Sequence, residues 1–107
     1  MTNILFICGK ARRRSPTAAA VAARQLGQPT DFAGLSADAD ERIDPEQLAW
    51  ADTIVVMEKA QLSRLKRQLG HHLKNKRLVC LDIPDNFEFM QPELVELVTS
   101  RLSRITR

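Results

Sequence analysis

Residues 3–8, with the sequence NILFIC, form an almost wholly apolar run in which polar and apolar residues do not alternate. Such a run is typical of a central strand in a parallel sheet, because helices cover both faces of that strand. The next segment of regular pattern, SPTAAAVAARQLG, is typical of a helix. We expect Ser15 to cap this helix, Pro16 to take its first position and Gly27 to end it. The chain therefore begins with a strand, a loop and a helix.

Apolar runs continue to alternate with segments of helical periodicity along the rest of the chain. Further strands are expected at residues 32–36, 53–57 and 78–81. A short helix is expected after the capping residue Asp44, with Trp50 packed in the core. Two more helices are expected, one over residues 59–69 and one in a last segment with Leu94, Leu97, Val98, Leu102 and Ile105. This alternation predicts an α/β fold of three layers, α/β/α, with about four parallel strands. Ligands of such sheets bind at the carboxyl ends of the strands.

Length and composition limit the classes of protein to which the chain can belong. Its 107 residues are enough for a single domain, residues 1–107. No apolar run approaches the roughly 20 residues that a membrane span needs, and the N-terminus lacks the features of a secretory signal. We therefore expect a cytoplasmic protein that does not contact the membrane. Two cysteines, Cys8 and Cys80, are too few for a disulfide framework or a four-cysteine zinc site, and we expect no metal and no cofactor.

The loop between the first strand and the first helix concentrates positive charge beside a cysteine. Four of the sixteen basic residues crowd into five positions after Cys8. A loop that leads into a helix N-terminus can turn its backbone N–H groups towards an anion, and the same field stabilises a thiolate. A tetrahedral oxyanion such as phosphate is therefore the expected ligand. The residues expected around it are Gly9, Lys10, Ala11, Arg12, Arg13 and Arg14.

Other interpretations of this loop stay open on the residues alone. Cys8 can be a small buried residue, and the arginines can form a solvated turn. RNA binding could use the basic loop together with the second basic segment, but nucleic acid is not the expected partner because no aromatic residue lies near the loop. That second segment contains His71, His72, Lys74, Lys76 and Arg77 and is expected to be a solvated turn.

The sequence FICGKARRRSPTA resembles the phosphate-binding loop of the low-molecular-weight protein tyrosine phosphatases, whose pattern is Cys-x5-Arg-Ser-Pro after the first strand. Three later segments are also similar to the family: FAGLS to its Ser-Ala-Gly strand, ADTIVVMEK to its Ala-Asp-strand-Met-Asp segment, and IPDNF to its Asp-Pro-Tyr loop. The resemblance covers most of the chain, which is shorter than the family pattern. It indicates a short, divergent member with a phosphate-binding loop between strand one and helix one.

The resemblance implies a cysteine-dependent phosphomonoester hydrolase that acts on a phosphotyrosine-containing protein or a small aryl phosphate and releases inorganic phosphate. Cys8 would be the nucleophile that forms a phosphocysteine, Arg14 would bind the phosphoryl oxygens and Ser15 would assist the sulfur. Asp85 would be the general acid, with Asp82 as a rival three residues earlier. Either Phe87 or Phe89 could form a wall against an aromatic substrate, although each can equally be a core residue.

The chain also departs from the family pattern. Lys10 and Ala11 stand where the family has a Gly-Asn pair whose asparagine braces the loop, and Arg13 replaces a second cysteine. These departures imply reduced activity and leave a second hypothesis, an anion-binding regulatory module with little turnover. An arsenate reductase is less favoured, because Cys80 alone could relay a disulfide. Lys10, Arg12 and Arg13 are expected around the pocket mouth, where they would favour acidic substrates.

Overall fold

A computed structural model describes residues 2–106, so the first and last residues of the predicted 1–107 domain lie outside the described residues. The strands are β1 Ile4–Cys8, β2 Thr30–Gly34, β3 Thr53–Val56 and β4 Arg77–Cys80. The helices are α1 Arg14–Leu26, α2 Pro45–Trp50, α3 Lys59–Leu69, α4 Pro92–Arg101 and α5 Ser103–Thr106, and a 3₁₀ turn covers Gly70–Leu73.

The four strands form one parallel sheet in the order β2-β1-β3-β4. Apolar side chains on one face of the sheet pack with α1 and α4, and those on the other face pack with α2, α3 and the 3₁₀ turn. All five residues of β1 are buried, because this strand lies inside the sheet and is covered on both faces. The predicted α/β fold of three layers with four parallel strands, and a loop between strand one and helix one, is confirmed.

Helix α1 begins two residues earlier than the sequence predicts. Its N-cap is Arg13, whose side chain makes no capping bond, and Arg14 is the first helical residue. The prediction that Ser15 caps the helix is therefore wrong. Because the preceding loop turns tightly, Arg14 already has helical conformation. The Ser15 hydroxyl therefore does not cap the helix and contacts the Cys8 sulfur instead. At the other end, Gly27 takes the left-handed conformation (φ 64°) that the prediction requires.

Three further expectations need correction. Strand β2 lies two residues earlier than predicted, because the chain turns after Gly34 to cross the Cys8 loop. The last helix is divided into α4 and α5 at Leu102, whose N–H bonds to the carbonyl of Thr99 three residues back. Trp50 is not a core residue: its exposed fraction is 37%, because α2 has only six residues and buries one of them, Leu48.

The second basic segment begins in the 3₁₀ turn after α3. His71 is exposed there and His72 is half-buried, and their ring centroids are 4.0 Å apart. Within residues 2–106, no group of three histidine, cysteine or acidic side chains is placed to hold a metal ion. In the same range, no helix combines the length and apolar character that crossing a membrane would require.

Candidate active site

The sulfur of Cys8 lies at the centre of the loop that joins β1 to α1. The residue is 4% exposed. The backbone N–H of Ala11 donates to the sulfur at 3.2 Å, and the Ser15 hydroxyl lies 3.0 Å from it. A backbone N–H group and a hydroxyl group thus lie within hydrogen-bond distance of the sulfur. The loop thus brings together Cys8, Ala11 and Ser15.

Backbone hydrogen bonds from residues 35–40 hold the first half of this loop. The N–H groups of Leu35, Ser36 and Asp40 donate to the carbonyls of Cys8, Gly9 and Lys10 at 3.0, 2.9 and 2.9 Å. The carbonyl side of the loop is therefore occupied by a second chain segment. This leaves its N–H side for a ligand.

Gly34 makes this close approach of the two segments possible. A Cβ atom at position 34 would lie 2.6 Å from the carbonyl oxygen of Gly9 and 2.6 Å from the Cβ of Ala39. Neither distance is compatible with van der Waals contact, so any side chain here would push the segments apart. The glycine of the FAGLS segment is thus a steric requirement of the Cys8 loop.

Ala11 takes the left-handed backbone conformation (φ 59°) and is 3% exposed. This conformation costs a non-glycine residue roughly 1–2 kcal/mol. The family braces this position with asparagine, whereas a methyl group cannot donate or accept a hydrogen bond. The loop is held instead by the main-chain bonds from residues 35–40 and by the bond from the Ala11 N–H to the Cys8 sulfur.

The guanidinium of Arg14 is buried beside the loop and oriented by groups from the segments that follow β3 and β4. Its Nη1 donates to Glu58 Oε1 at 2.7 Å and to the carbonyl of Ile83 at 2.8 Å. These bonds use both protons of Nη1, so the donors left for an oxyanion are on Nε and Nη2. A buried arginine whose side chain is 5% exposed needs such partners, because an unpaired buried charge is costly.

Sequence reasoning missed the role of Glu58. The residue follows β3, the direct neighbour of β1, so its position at the carboxyl edge of the sheet follows from the topology. The only sequence signal was its place in the ADTIVVMEK segment, which resembles the family but assigns it no role. Gln61 supports this turn, since its Oε1 accepts hydrogen bonds from the N–H groups of Met57 and Glu58.

The structure separates the two candidate acids. Asp85 lines the same cleft as Cys8, with its Oδ1 3.6 Å from Arg14 Nε and its side chain 62% exposed. Asp82 points elsewhere and accepts a hydrogen bond from Arg104 Nη1 at 2.9 Å. That bond, followed by the contact from Cys80, lowers the pKa of Asp82 below its usual value. The geometry thus brings Asp85, and not Asp82, to the cleft over Cys8.

The cleft over Cys8 has a volume of about 530 Å³ and a polar lining. Its described lining residues are Cys8, Gly9, Lys10, Arg12, Arg13, Arg14, Ser36, Glu58, Gln61, Arg64 and Asp85. No aromatic residue is among them, so neither Phe87 nor Phe89 forms a wall of this cleft. Phe87 packs against the core, as one of the two alternatives from the sequence has it, and Phe89 is exposed and lines a separate groove.

Three of the basic side chains predicted around the pocket mouth are paired with acidic side chains. Lys10 lies 2.9 Å from Asp38, Arg12 lies 2.8 Å from Asp40, and Arg13 lies 3.4 Å from Glu88. The Lys10 hydrogen bond lowers the pKa of the Asp38 carboxyl, and the Asp40 hydrogen bond raises the pKa of the Arg12 guanidinium. The carboxylates of Asp38 and Asp40 therefore offset part of the positive charge of the loop.

The second cysteine lies away from the cleft. Cys80 ends β4, which is separated from β1 by β3, and its side chain packs with the apolar cluster on the opposite face from Cys8. Both thiols are free. The sheet itself thus stands between the two cysteines.

No protein-family model and no curated protein sequence matches the chain. Solved structures do match it. The YwlE arginine phosphatase of Geobacillus stearothermophilus superposes with a TM-score of 0.76 at 19% identity, covering 99% of this chain and 93% of that chain. Wzb of Vibrio vulnificus, solved in complex with benzylphosphonate, gives 0.77 at 20% identity, covering 95% and 94%. A low-molecular-weight protein tyrosine phosphatase of Streptococcus pyogenes gives 0.76 at 16% identity, covering 98% and 93%. The chain shares their fold over nearly its whole length.

Proposed function

We propose that this chain, which has the fold of the low-molecular-weight protein tyrosine phosphatases, is a cysteine-dependent phosphomonoester hydrolase. The observation that carries the proposal is the arrangement around Cys8: its sulfur lies 3.0 Å from the Ser15 hydroxyl, under a cleft that Arg14 and Asp85 also line. A nucleophile, an oxyanion donor and a carboxyl group at one cleft are the groups that phosphoester hydrolysis through a thiolate needs.

In the first step, the loop N–H groups and Arg14 bind the phosphoryl oxygens of the substrate. The Cys8 thiolate attacks the phosphorus atom, so that a sulfur–phosphorus bond forms and the bond from phosphorus to the ester oxygen breaks. Asp85, in its protonated form, donates its proton to the leaving oxygen. The step yields a phosphocysteine and the free alcohol or phenol.

In the second step, water hydrolyses the phosphocysteine. The Asp85 carboxylate takes a proton from the attacking water, whose oxygen forms the new bond to phosphorus. The sulfur–phosphorus bond breaks and returns the electron pair to the sulfur. The Ser15 hydroxyl, 3.0 Å away, donates a hydrogen bond to the departing thiolate, and inorganic phosphate leaves.

The test of this proposal compares Cys8→Ser with the matched variant Cys80→Ser. We expect Cys8→Ser to lower turnover of an aryl phosphate by about 1,000-fold or more, because the nucleophile is lost. Cys80→Ser should retain turnover, since that thiol lies on the other face of the sheet. Steady-state phosphate release measures both. Equal activity in wild type and Cys8→Ser would reject the mechanism.

The class of substrate is also part of the proposal. The polar lining of the cleft gives no contact that selects an aryl group, so phosphotyrosine peptides and small aryl phosphates are proposed as substrates from the resemblance alone. An arginine phosphatase is among the proteins of the same fold. Turnover of matched phosphotyrosine and phosphoarginine peptides distinguishes these two substrate classes.

An anion-binding module with little turnover is the second candidate. The strained Ala11, with no side chain to brace it, and the exposed position of Asp85 favour this alternative. It predicts that inorganic phosphate binds, as measured by calorimetry, while no phosphate is released from any ester. An arsenate reductase is disfavoured because the sheet separates Cys8 from Cys80.

A further inference from the structure

Arg64 on α3 is a half-buried side chain that lines the cleft over Cys8. Its Nη2 donates to the carbonyl of Leu35 at 3.2 Å, which fixes the guanidinium beside the segment that supports the loop. Sequence reasoning gave this arginine no role, since it lies about fifty residues from the Cys-x5-Arg motif within an ordinary amphipathic helix. The fold alone brings it to the cleft.

Arg64 differs in its electrostatic surroundings from every other basic side chain of the cleft. Each of the other four has a carboxylate oxygen close by: Lys10–Asp38 at 2.9 Å, Arg12–Asp40 at 2.8 Å, Arg13–Glu88 at 3.4 Å and Arg14–Glu58 at 2.7 Å. Within residues 2–106, no carboxylate lies within salt-bridge distance of Arg64. Its charge is therefore the least compensated one in the cleft.

We propose that Arg64 is a specificity residue that binds a second anionic group of the substrate, while the Cys8 loop and Arg14 hold the phosphoryl group. The inference rests on the proposed function for the position of the phosphoryl group. The second group is a carboxylate or a further phosphate. It can come from an acidic side chain next to a phosphorylated residue of a protein, or from a small molecule that carries two anionic groups.

The chemistry of the cleft supports this assignment. A guanidinium binds carboxylate and phosphate oxygens through paired hydrogen bonds, and these bonds gain strength where water is partly excluded. The lining offers no aromatic surface with which an uncharged leaving group could stack. Its volume of about 530 Å³ exceeds what a single phosphate ion fills, so there is room for a second group. Selectivity in this cleft therefore depends on charge.

The first experiment measures binding and does not depend on turnover. Calorimetric affinities for inorganic phosphate and for pyrophosphate are compared in wild type, Arg64→Gln and the matched variant Arg67→Gln, whose side chain is exposed on the same helix. We expect wild type to bind pyrophosphate about 10- to 100-fold more tightly than phosphate, as a charge-assisted hydrogen bond allows. Arg64→Gln should bring this ratio close to one, and Arg67→Gln should leave it as in wild type.

The second experiment measures turnover on a pair of phosphotyrosine peptides that differ only in glutamate or glutamine beside the phosphorylated residue. A ratio of kcat/KM values above about tenfold that depends on Arg64 identifies a protein as the source of the second group. A kcat/KM ratio near one for the two peptides, together with a pyrophosphate preference in the first experiment, identifies a small molecule as the source of the second anionic group. Arg64→Lys, which retains the charge but not the planar donor pair, should keep part of either preference.

The outcomes separate this inference from the proposed function. No turnover of any ester, together with a pyrophosphate preference that depends on Arg64, would reject the hydrolase and support the subsite. Equal losses for phosphate and pyrophosphate in Arg64→Gln would overturn the subsite, because Arg64 would then serve the phosphoryl group itself. A pyrophosphate preference that survives in both Arg64→Gln and Arg64→Lys would overturn it too. Thermal unfolding of each variant checks that the fold is retained.

Discussion

The loops that follow β1 and β4 lie at the same edge of the sheet and contribute to the same cleft, but they are held in different ways. In the loop after β1, three carbonyls accept backbone hydrogen bonds from residues 35–40, and Cys8 and Ala11 are buried. The loop after β4 is anchored at its start, where the N–H groups of Leu81 and Ile83 bond to β3 and to the residue after it. Pro84, Asp85 and Asn86 beyond this anchor are exposed.

The difference assigns separate tasks to the two loops. Under the proposed function, the first loop would bind the oxyanion with groups that are already held in place, so that no reorganisation is needed when the charge develops. The second places the exposed carboxyl group of Asp85 along the same cleft, where under the proposed function it would transfer protons. Changes in the first loop should therefore act on anion binding, and changes in the second should act on proton transfer.

Among the substitutions that compare the two loops, the largest effect is expected from Asp85→Asn in the second loop. We expect kcat/KM for phenyl phosphate to fall by about 100-fold, because the leaving phenolate loses its proton donor. The fall should be much smaller for para-nitrophenyl phosphate, whose leaving group departs without protonation. Because kcat/KM reports the steps up to the phosphocysteine, this comparison isolates the acid from the later hydrolysis. Phosphate affinity should be retained.

The matched control is Asp82→Asn, three residues earlier in the same loop. The side chain of Asp82 bonds to Arg104 and does not line the cleft at Cys8. Its kcat/KM values should equal those of wild type for both esters. A loss in Asp82→Asn that depends on the leaving group, with wild-type behaviour of Asp85→Asn, would reverse the assignment of the acid.

Gly34→Ala tests the support of the first loop and should have the next largest effect. The new Cβ would lie 2.6 Å from the Gly9 carbonyl oxygen. We expect a loss of about 1–3 kcal/mol in the free energy of unfolding, as is usual for overpacking. The affinity for inorganic phosphate should fall because the loop must shift.

Gly70→Ala is the control for this substitution, since nothing lies within 4 Å of a Cβ atom at that position and its φ is −54°. Chemical denaturation and phosphate calorimetry should give wild-type values for this variant. If Gly34→Ala also binds phosphate as wild type does, the loop after β1 does not depend on residues 35–40. The proposed difference between the two loops, a first loop held by residues 35–40 and a second loop that is exposed, would then not explain anion binding.

The smallest effect is expected for the stability of Asp82→Asn at different pH values. The hydrogen bond from Arg104 lowers the pKa of Asp82 in the folded state below its usual 3.8. The stability that this pair contributes is therefore present above pH 3.8 and is lost as the pH falls through the lowered value. At neutral pH the substitution should cost at most about 1 kcal/mol, because the pair is partly exposed.

Urea unfolding of wild type and Asp82→Asn at neutral and at strongly acid pH measures this dependence. The backbone at position 82 is left-handed (φ 54°), a conformation that asparagine also adopts, so the substitution adds no strain of its own. A difference between the two proteins that persists at strongly acid pH would contradict the role of the Arg104 pair. Such a result would mean that an interaction other than the Arg104–Asp82 pair stabilises the second loop.

Much of the fold could be predicted from the sequence because its signals are local. The uninterrupted apolar run of β1 marks a strand covered on both faces, and the end of α1 follows from Gly27. The predicted boundaries of strands and helices were less accurate where contacts with the Cys8 loop decide which residues are helical or extended. The start of α1 moved to Arg14 because the loop turns so tightly, and β2 ended at Gly34 because the next residues hydrogen-bond to the Cys8 loop.

The sequence by itself determined the order of strand, basic loop and helix, with Cys8, Arg14 and Ser15 within eight positions, since the signals for a buried strand and for a helix are local to the chain. Only the tertiary structure decided which groups meet them there. Asp85 rather than Asp82 lines the cleft. Glu58 orients Arg14, and Arg64 enters from a distant helix. These contacts join residues far apart in the chain, and their positions depend on strand order and on the turn that follows each strand.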